Sequence, residues 1–132
     1  MPDAPLILLV DDSPADNFLH RLVIRETLSD ARVEEAMNGE QALARLRAAS
    51  AGDAPTPTLL LLDINMPRMN GWEFLEAAAE ESLFGDCVVV ALLTTSIDPA
   101  EKERSKTFGV VRAHLEKPLT AEALREVIAL AG

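Results

Sequence analysis

Carboxylates stand where a hard divalent cation could use them. Asp11 and Asp12 are adjacent, and Asp63 follows the apolar run Leu59–Leu62. Adjacent carboxylates repel, and a third beside them repels further, unless a divalent cation sits among them. Oxygen donors with no His or Cys close by point to Mg²⁺ or Mn²⁺ rather than zinc. Thr94-Thr95-Ser96 adds hydroxyls, and Lys117-Pro118 adds one cation. Each feature alone has an ordinary explanation: an Asp after a strand is commonly a cap or turn residue, and a lone lysine a surface residue. Their joint occurrence has chemical meaning only if one fold brings all four segments to one edge.

The intervening segments predict such a fold. Leu6–Val10, Leu59–Leu62 and Cys87–Leu93 are short apolar runs, as in strands buried on both faces. Arg32–Ala36 reads as a polar edge strand, and Val110–Leu115 as a strand leading into Lys117-Pro118. Helices begin at Asp12-Ser13-Pro14, Asn70, Asp98-Pro99 and Thr120, each a cap signal, and a further helix runs from Asn38 to Ala49. The first carries Phe18, Leu19, Leu22 and Val23; the second Ala42, Leu43, Leu46 and Ala49; the last Leu124, Val127, Ile128 and Ala131. Leu119 and Leu124 are placed for a hydrophobic staple. The third runs to about Ser82. The order is β-α five times, which right-handed crossovers turn into an α/β parallel sheet covered on both faces. Sites in open α/β sheets form outside the carboxyl ends of the strands. The first strand delivers Asp11-Asp12 there, the third Asp63, the fourth Thr94-Thr95-Ser96 and the fifth Lys117. Ala48–Thr58, with Gly52, Pro55 and Pro57, reads as a mobile surface loop within one domain.

Composition narrows the function. The chain has 132 residues, which is one domain, and 12 Lys+Arg against 22 Asp+Glu give a net charge of −10. That argues against nucleic acid or an anionic membrane as partner. The single Cys87 permits no disulfide framework within the chain and fits a reducing cytoplasm. No apolar run is long enough for a membrane span, and no basic region precedes the first apolar run as in a signal peptide.

The segment Asp63-Ile64-Asn65-Met66-Pro67-Arg68-Met69-Asn70-Gly71 is the most specific local signal. It is a strand end, a turn stiffened by Pro67 and a capped helix start. With Asp11-Asp12 before it and a threonine and Lys117-Pro118 after it, the chain resembles the receiver domain of two-component response regulators. The resemblance covers the whole chain. Asp16-Asn17-Phe18-Leu19-His20-Arg21 further resembles stand-alone receivers found beside phytochrome-type histidine kinases.

The resemblance implies a flavodoxin-like doubly wound (βα)5 fold with strand order 2-1-3-4-5. Residues 1–132 would form one receiver domain with no output domain. Asp63 would take a phosphoryl group from a kinase phosphohistidine. Mg²⁺ (or Mn²⁺) would be held by Asp12, Asp63 and the Asn65 carbonyl, with Asp11 acting through water. Lys117, its peptide to Pro118 cis, would pair with the acyl phosphate, and a threonine hydroxyl would report its arrival. Asn65 and Ser96 stand where the family tunes phosphoryl lifetime. His114 stands where the family usually has a switching aromatic, and is either a switch or an ordinary strand residue. One extra residue lies between Gly109 and Lys117, so counting from Gly109 selects Thr94 as the switch and counting back from Lys117 selects Thr95; Thr94 directly follows the apolar run. Partners would be a sensor histidine kinase and a downstream protein or phosphotransfer protein. A homodimer through the fourth helix, fifth strand and fifth helix is a further expectation, with Glu101–Arg104 as charged candidate surface. Trp72 reads as a partly buried reporter near Asp63, and Cys87 as a small hydrophobe. Two other functions compete. A haloacid-dehalogenase-type phosphatase would want a second Asp where Asn65 stands. A degenerate receiver used only for binding would have no need of the complete acidic set.

Overall fold

A computed structural model describes residues 4–85, 88–95 and 98–131. Five strands, β1 (Leu6–Val10), β2 (Arg32–Ala36), β3 (Leu59–Leu62), β4 (Val89–Thr94) and β5 (Val111–Glu116), form one parallel sheet in the order β2-β1-β3-β4-β5. Five helices alternate with them: α1 (Pro14–Thr27), α2 (Gly39–Ser50), α3 (Gly71–Glu80), α4 (Pro99–Ser105) and α5 (Ala121–Ala131). This is the expected (βα)5 architecture. Cys87 and Ser96 lie outside the described residues.

The strands sort their side chains by parity. Ile7, Leu9, Leu59, Leu61, Val89, Ala91 and Leu93 pack with Ile24, Leu124 and Val127 of α1 and α5. Leu8, Val10, Leu60, Leu62, Val90 and Leu92 pack with Leu43, Leu46, Phe74 and Leu75 of α2 and α3. The three central strands are buried on both faces, which is why they read as unbroken apolar runs. Each fully buried leucine contributes roughly 1.5–3 kcal/mol relative to exposure. β2 is half exposed, as its polar sequence predicts for an edge.

Caps hold the helix starts. Ser13, Asn38 and Asp98 each accept a backbone N–H two or three residues on, and Asn70 and Glu73 close a full capping box. Thr120 Oγ1 accepts from Ala123 N at 3.1 Å, and Leu119 and Leu124 are both buried beneath that helix entry.

Three readings need correction. In α1, Phe18, Leu19 and Leu22 are exposed at 61%, 52% and 42%, and the buried residues are Asn17, His20 and Ile24. The helix lays a polar face on the sheet edge because Asn17 Nδ2 donates to the Asp11 carbonyl at 3.0 Å and Asp16 pairs with Lys117. Trp72 is buried rather than partly so, stacked on Phe108 with the Arg104 guanidinium 4.7 Å above its ring. Residues 48–50 belong to α2, and the loop after them is tied down by Arg45 Nη2 donating to the Pro55 carbonyl at 2.7 Å.

One irregularity reaches the site. β5 carries a bulge at Arg112: Val90 pairs with Val111, but Ala91 pairs with Ala113. One inserted residue flips every later side chain to the other face. Val111 packs on the α2–α3 side, whereas Ala113 and Leu115 pack on the α1–α5 side. His114 is thereby turned toward α4.

Candidate functional site

Three strand ends deliver the acidic residues. Asp11 follows β1, and its N–H donates to the Ala36 carbonyl at 3.1 Å, so the neighbouring strand fixes its backbone. Asp63 follows β3 and is fixed in the same way, its N–H donating to the Val10 carbonyl at 2.9 Å. Carboxylate oxygens of Asp11, Asp12 and Asp63 lie within 4.8 Å of one another. Asp11 and Asp63 are buried and Asp12 is exposed, so the cluster opens to solvent on one side. Three hard oxygen donors at this spacing fit Mg²⁺ or Mn²⁺.

The fifth strand delivers the cation. Lys117 N–H donates to the Thr94 carbonyl at 2.6 Å, and the Lys117–Pro118 peptide is cis, as expected. The Lys117 ammonium donates to Asp11 Oδ2 at 2.7 Å and to Asp16 Oδ2 at 2.8 Å, and stands 3.6 Å from Asp63 Oδ2. Burial by itself favours the neutral amine. The bonds to Asp11 and Asp16, with the nearby Asp63 charge, outweigh it and raise the Lys117 pKa above its ordinary value. Asp63 moves upward too: burial raises its pKa, Lys117 opposes that, and Asp11 and Asp12 add to it. Asp16 moves downward, chiefly through its bond to Lys117.

Asn65 N–H donates to Asp63 Oδ1 at 3.3 Å, and its side chain is exposed. The turn that follows is packed on two sides. Gly39 N–H donates to the Met69 carbonyl at 3.1 Å, and Gly71 N–H donates to the Ile64 carbonyl at 2.9 Å. A Cβ on Gly39 would stand 2.6 Å from the Met69 carbonyl oxygen, so only glycine lets α2 approach this turn.

Thr94 is the last residue of β4 and its side chain is buried, whereas Thr95 lies beyond the strand and is exposed. The bulge at Arg112 falls within the Gly109–Lys117 stretch where the sequence carries one extra residue. It lengthens the path to Lys117 without moving Thr94 along its strand. His114 sits opposite Leu92 in β5, and its Nε2 is 2.6 Å from Ser105 Oγ of α4. Ser105 Oγ already donates its proton to the Lys102 carbonyl at 2.7 Å, so it accepts from His114 Nε2–H. That fixes the tautomer of a neutral imidazole. Burial, then the Lys102 charge, lowers the His114 pKa.

The structure thus brings together Asp11, Asp12, Asp63 and Lys117, sets Asn65 against Asp63, and ends β4 with Thr94 beside Lys117. Thr95 is left at the surface. Sequence reasoning missed Asp16, Asn17 and His20 as site residues. Their signal was available: they lie on one face of α1 at three- and four-residue spacing, but the stretch Asp16–Arg21 was read only for its family resemblance and no site role was given to these three. Burial and the Lys117 charge lower the His20 pKa.

Comparison with known proteins agrees with this geometry. The response regulator receiver domain model matches residues 7–129. The nitrate/nitrite response regulator NarL of Escherichia coli K12 is 32% identical over 127 residues, 93% of this chain and 54% of NarL. The chain therefore spans about half the length of that relative. A two-component response regulator from Cytophaga hutchinsonii superposes with a TM-score of 0.89 at 29% identity, covering 98% of both chains. The bacteriophytochrome response regulator RtBRR gives a TM-score of 0.79 at 28% identity, covering 98% of this chain and 78% of that one. Neither the phosphatase nor the binding-only alternative finds support in these matches. Sheet order, acidic cluster and full-length match agree, and the chain belongs to the response regulator receiver family of two-component systems.

Proposed function

We propose that Asp63 accepts a phosphoryl group from the phosphohistidine of a sensor histidine kinase and that its arrival alters the α4–β5–α5 face. The observation that carries this reading is the convergence of Asp11, Asp12 and Asp63 with the Lys117 ammonium at one sheet edge. An Asp63 carboxylate oxygen attacks phosphorus, the P–N bond breaks, and the histidine nitrogen leaves with the electron pair. The reaction places charge on the phosphoryl oxygens. Asp12, Asp63 and the Asn65 carbonyl would hold Mg²⁺, with Asp11 acting through water, and the ion would supply positive charge to offset that on the phosphoryl oxygens. Lys117 pairs with another phosphoryl oxygen from its place beside Asp63. Attack by water at the same phosphorus breaks the Asp63 O–P bond, releases inorganic phosphate and returns the Asp63 carboxylate to its starting state.

Thr94 is the residue positioned to hydrogen-bond the phosphoryl group, and His114 is the next residue along the route to α4. Two states of this route, one with the Ser105–His114 bond and one without it, would let phosphorylation select the output face. A downstream protein, a phosphotransfer protein or a second copy of the chain would read that face. The donor would meet α1, where exposed Leu19 and Leu22 join Val23, Pro118 and Leu119 around a groove of about 460 Å³ next to Lys117. Similarity to a bacteriophytochrome response regulator supports a phytochrome-type kinase as that donor, and with it a cytoplasmic site of action. No helix among the described residues is long and apolar enough to cross a membrane.

The test is intact-protein mass after incubation with acetyl phosphate and Mg²⁺. The parent gains one phosphoryl group; Asp63→Asn and the parent with chelator gain none. An equal gain in Asp63→Asn would place the acceptor elsewhere.

A further inference from the structure

Asp16 is the third residue of α1, three after the Ser13 cap. An acidic side chain there ordinarily folds back onto the cap residue's own N–H, as Glu73 does at Asn70. In α1 that N–H is taken, because Ser13 donates to Asp11 Oδ1 at 2.9 Å. The Asp16 carboxylate instead accepts from Lys117 Nζ at 2.8 Å, across the fold. The ammonium has three protons. One goes to Asp11 Oδ2 at 2.7 Å and one to Asp16, which leaves the third for the side on which Asp63 Oδ2 stands at 3.6 Å.

Two cations therefore claim Asp11: the ammonium, and a divalent ion among Asp11, Asp12 and Asp63. If Lys117 had only Asp11 to hold it, ion binding would set a dication against an ammonium on one carboxylate. Asp16 is not a member of that three-carboxylate group and offers Lys117 an anion that the metal does not use. We infer that Asp16 is a positioning residue: it holds the Lys117 ammonium beside Asp63 while Asp11 turns to the divalent ion. This rests on the reading that Asp11, Asp12 and Asp63 bind such an ion.

The test is Mg²⁺ affinity by titration calorimetry, with circular dichroism to confirm folding. Asp16→Asn is expected to weaken Mg²⁺ binding roughly three- to tenfold, the scale of a half-exposed charge-assisted bond. Asp16→Glu, which keeps the anion, restores most of the affinity. In a Lys117→Ala background, Asp16→Asn changes affinity by less than about twofold, because the residue it acts through is gone. Lys117→Met, which keeps the aliphatic stem, replaces Lys117→Ala in this cycle if the latter does not fold. Equal losses in both backgrounds would overturn the inference, since the effect would then be only the field of one carboxylate fewer. No loss in Asp16→Asn would overturn it as well. A parent that binds no Mg²⁺ removes the metal reading itself and this inference with it, and the parent titration alone shows that case.

Discussion

Gly71→Ala tests how tightly the acceptor loop is built. Gly71 opens α3, and its N–H donates to the Ile64 carbonyl at 2.9 Å. A Cβ on this residue would stand 2.8 Å from Ile64 Cδ1, 2.9 Å from the Asp63 carbonyl oxygen and 2.9 Å from Ile64 Cα. Only the first of these is the end of a flexible side chain; the other two are backbone atoms of the acceptor and its neighbour. Relief must therefore come from displacing the Asp63–Ile64 peptide. Overpacking of this kind costs about 1–3 kcal/mol. Replacing glycine by alanine returns part of that, about 0.4–1 kcal/mol, by restricting the unfolded chain. The net expectation is a loss of about 1–2 kcal/mol, or roughly 4–10 °C in Tm for a domain of this size. Gly109→Ala is the matched control. Its Cβ meets nothing within 4 Å and its backbone is outside the left-handed region, so it is neutral or slightly stabilising. Urea unfolding measures both. Acetyl phosphate labelling at matched folded fraction then reads the displacement of Asp63, with slower labelling expected only for Gly71→Ala. A Gly71→Ala protein as stable as the parent, labelling at the parent's rate, would refute the claim that this contact positions the acceptor.

Stability should rise with pH through the histidine range. His20 and His114 are the chain's only histidines, and both are held below the ordinary value of 6.5. Between their folded pKa values and 6.5 the unfolded chain binds more protons, so stability falls as pH drops through 6.5 and levels off below; urea midpoints of His20→Gln and His114→Gln should each show a shallower fall. Asp63 acts in the opposite direction at lower pH, because its raised pKa favours the folded state when protonated, a gain lost as pH rises from 3.8 through the folded value. Thr94→Ala should abolish amide NMR shifts in α4 and β5 on binding beryllium fluoride, a phosphoryl mimic, whereas Thr95→Ala, altering an exposed side chain, should leave them intact. Arg104→Ala removes the guanidinium 4.7 Å from the Trp72 ring and should cost about 0.5–1 kcal/mol in urea unfolding while shifting Trp72 emission. Unchanged emission would mean that Trp72 does not sense α4.

Residues that act through chain geometry were legible in the sequence. The apolar runs of β1, β3 and β4 can be buried only as interior strands of a parallel sheet, and their ends then carry Asp11, Asp12, Asp63 and Thr94 to one edge. The Asn70–Glu73 box and the Lys117-Pro118 pair announce their local structure from residue type alone. Long-range polar contacts were not legible. Asp16 looked like first-turn decoration of a helix, and nothing local says that its partner is Lys117. The stripe of α1 was misread because Phe18, Leu19 and Leu22 outweigh Asn17 and His20 on any hydrophobic scale. The helix takes its rotation from polar bonds to Asp11 and Lys117, and a pattern of apolar residues does not encode those.

The β5 bulge decides which face of the sheet His114 occupies. Were Arg112 paired in the ladder instead of bulged out of it, parity would place Leu115 on the α4 side and turn His114 toward α5. With it, Leu115 seals the α1–α5 core and His114 reaches Ser105. The usual aromatic at this position can move between pockets by exchanging apolar contacts. A neutral imidazole whose proton is committed to a serine hydroxyl has a discrete bond to break instead. Ser105 is itself bonded to Lys102 within α4, the seven-residue helix that also carries Arg104 onto Trp72, so under the proposed switch a change at His114 would reach that helix through Ser105. The bulge absorbs Arg112 without disturbing the ladder that follows, and so keeps His114 opposite Leu92 on the α4 side.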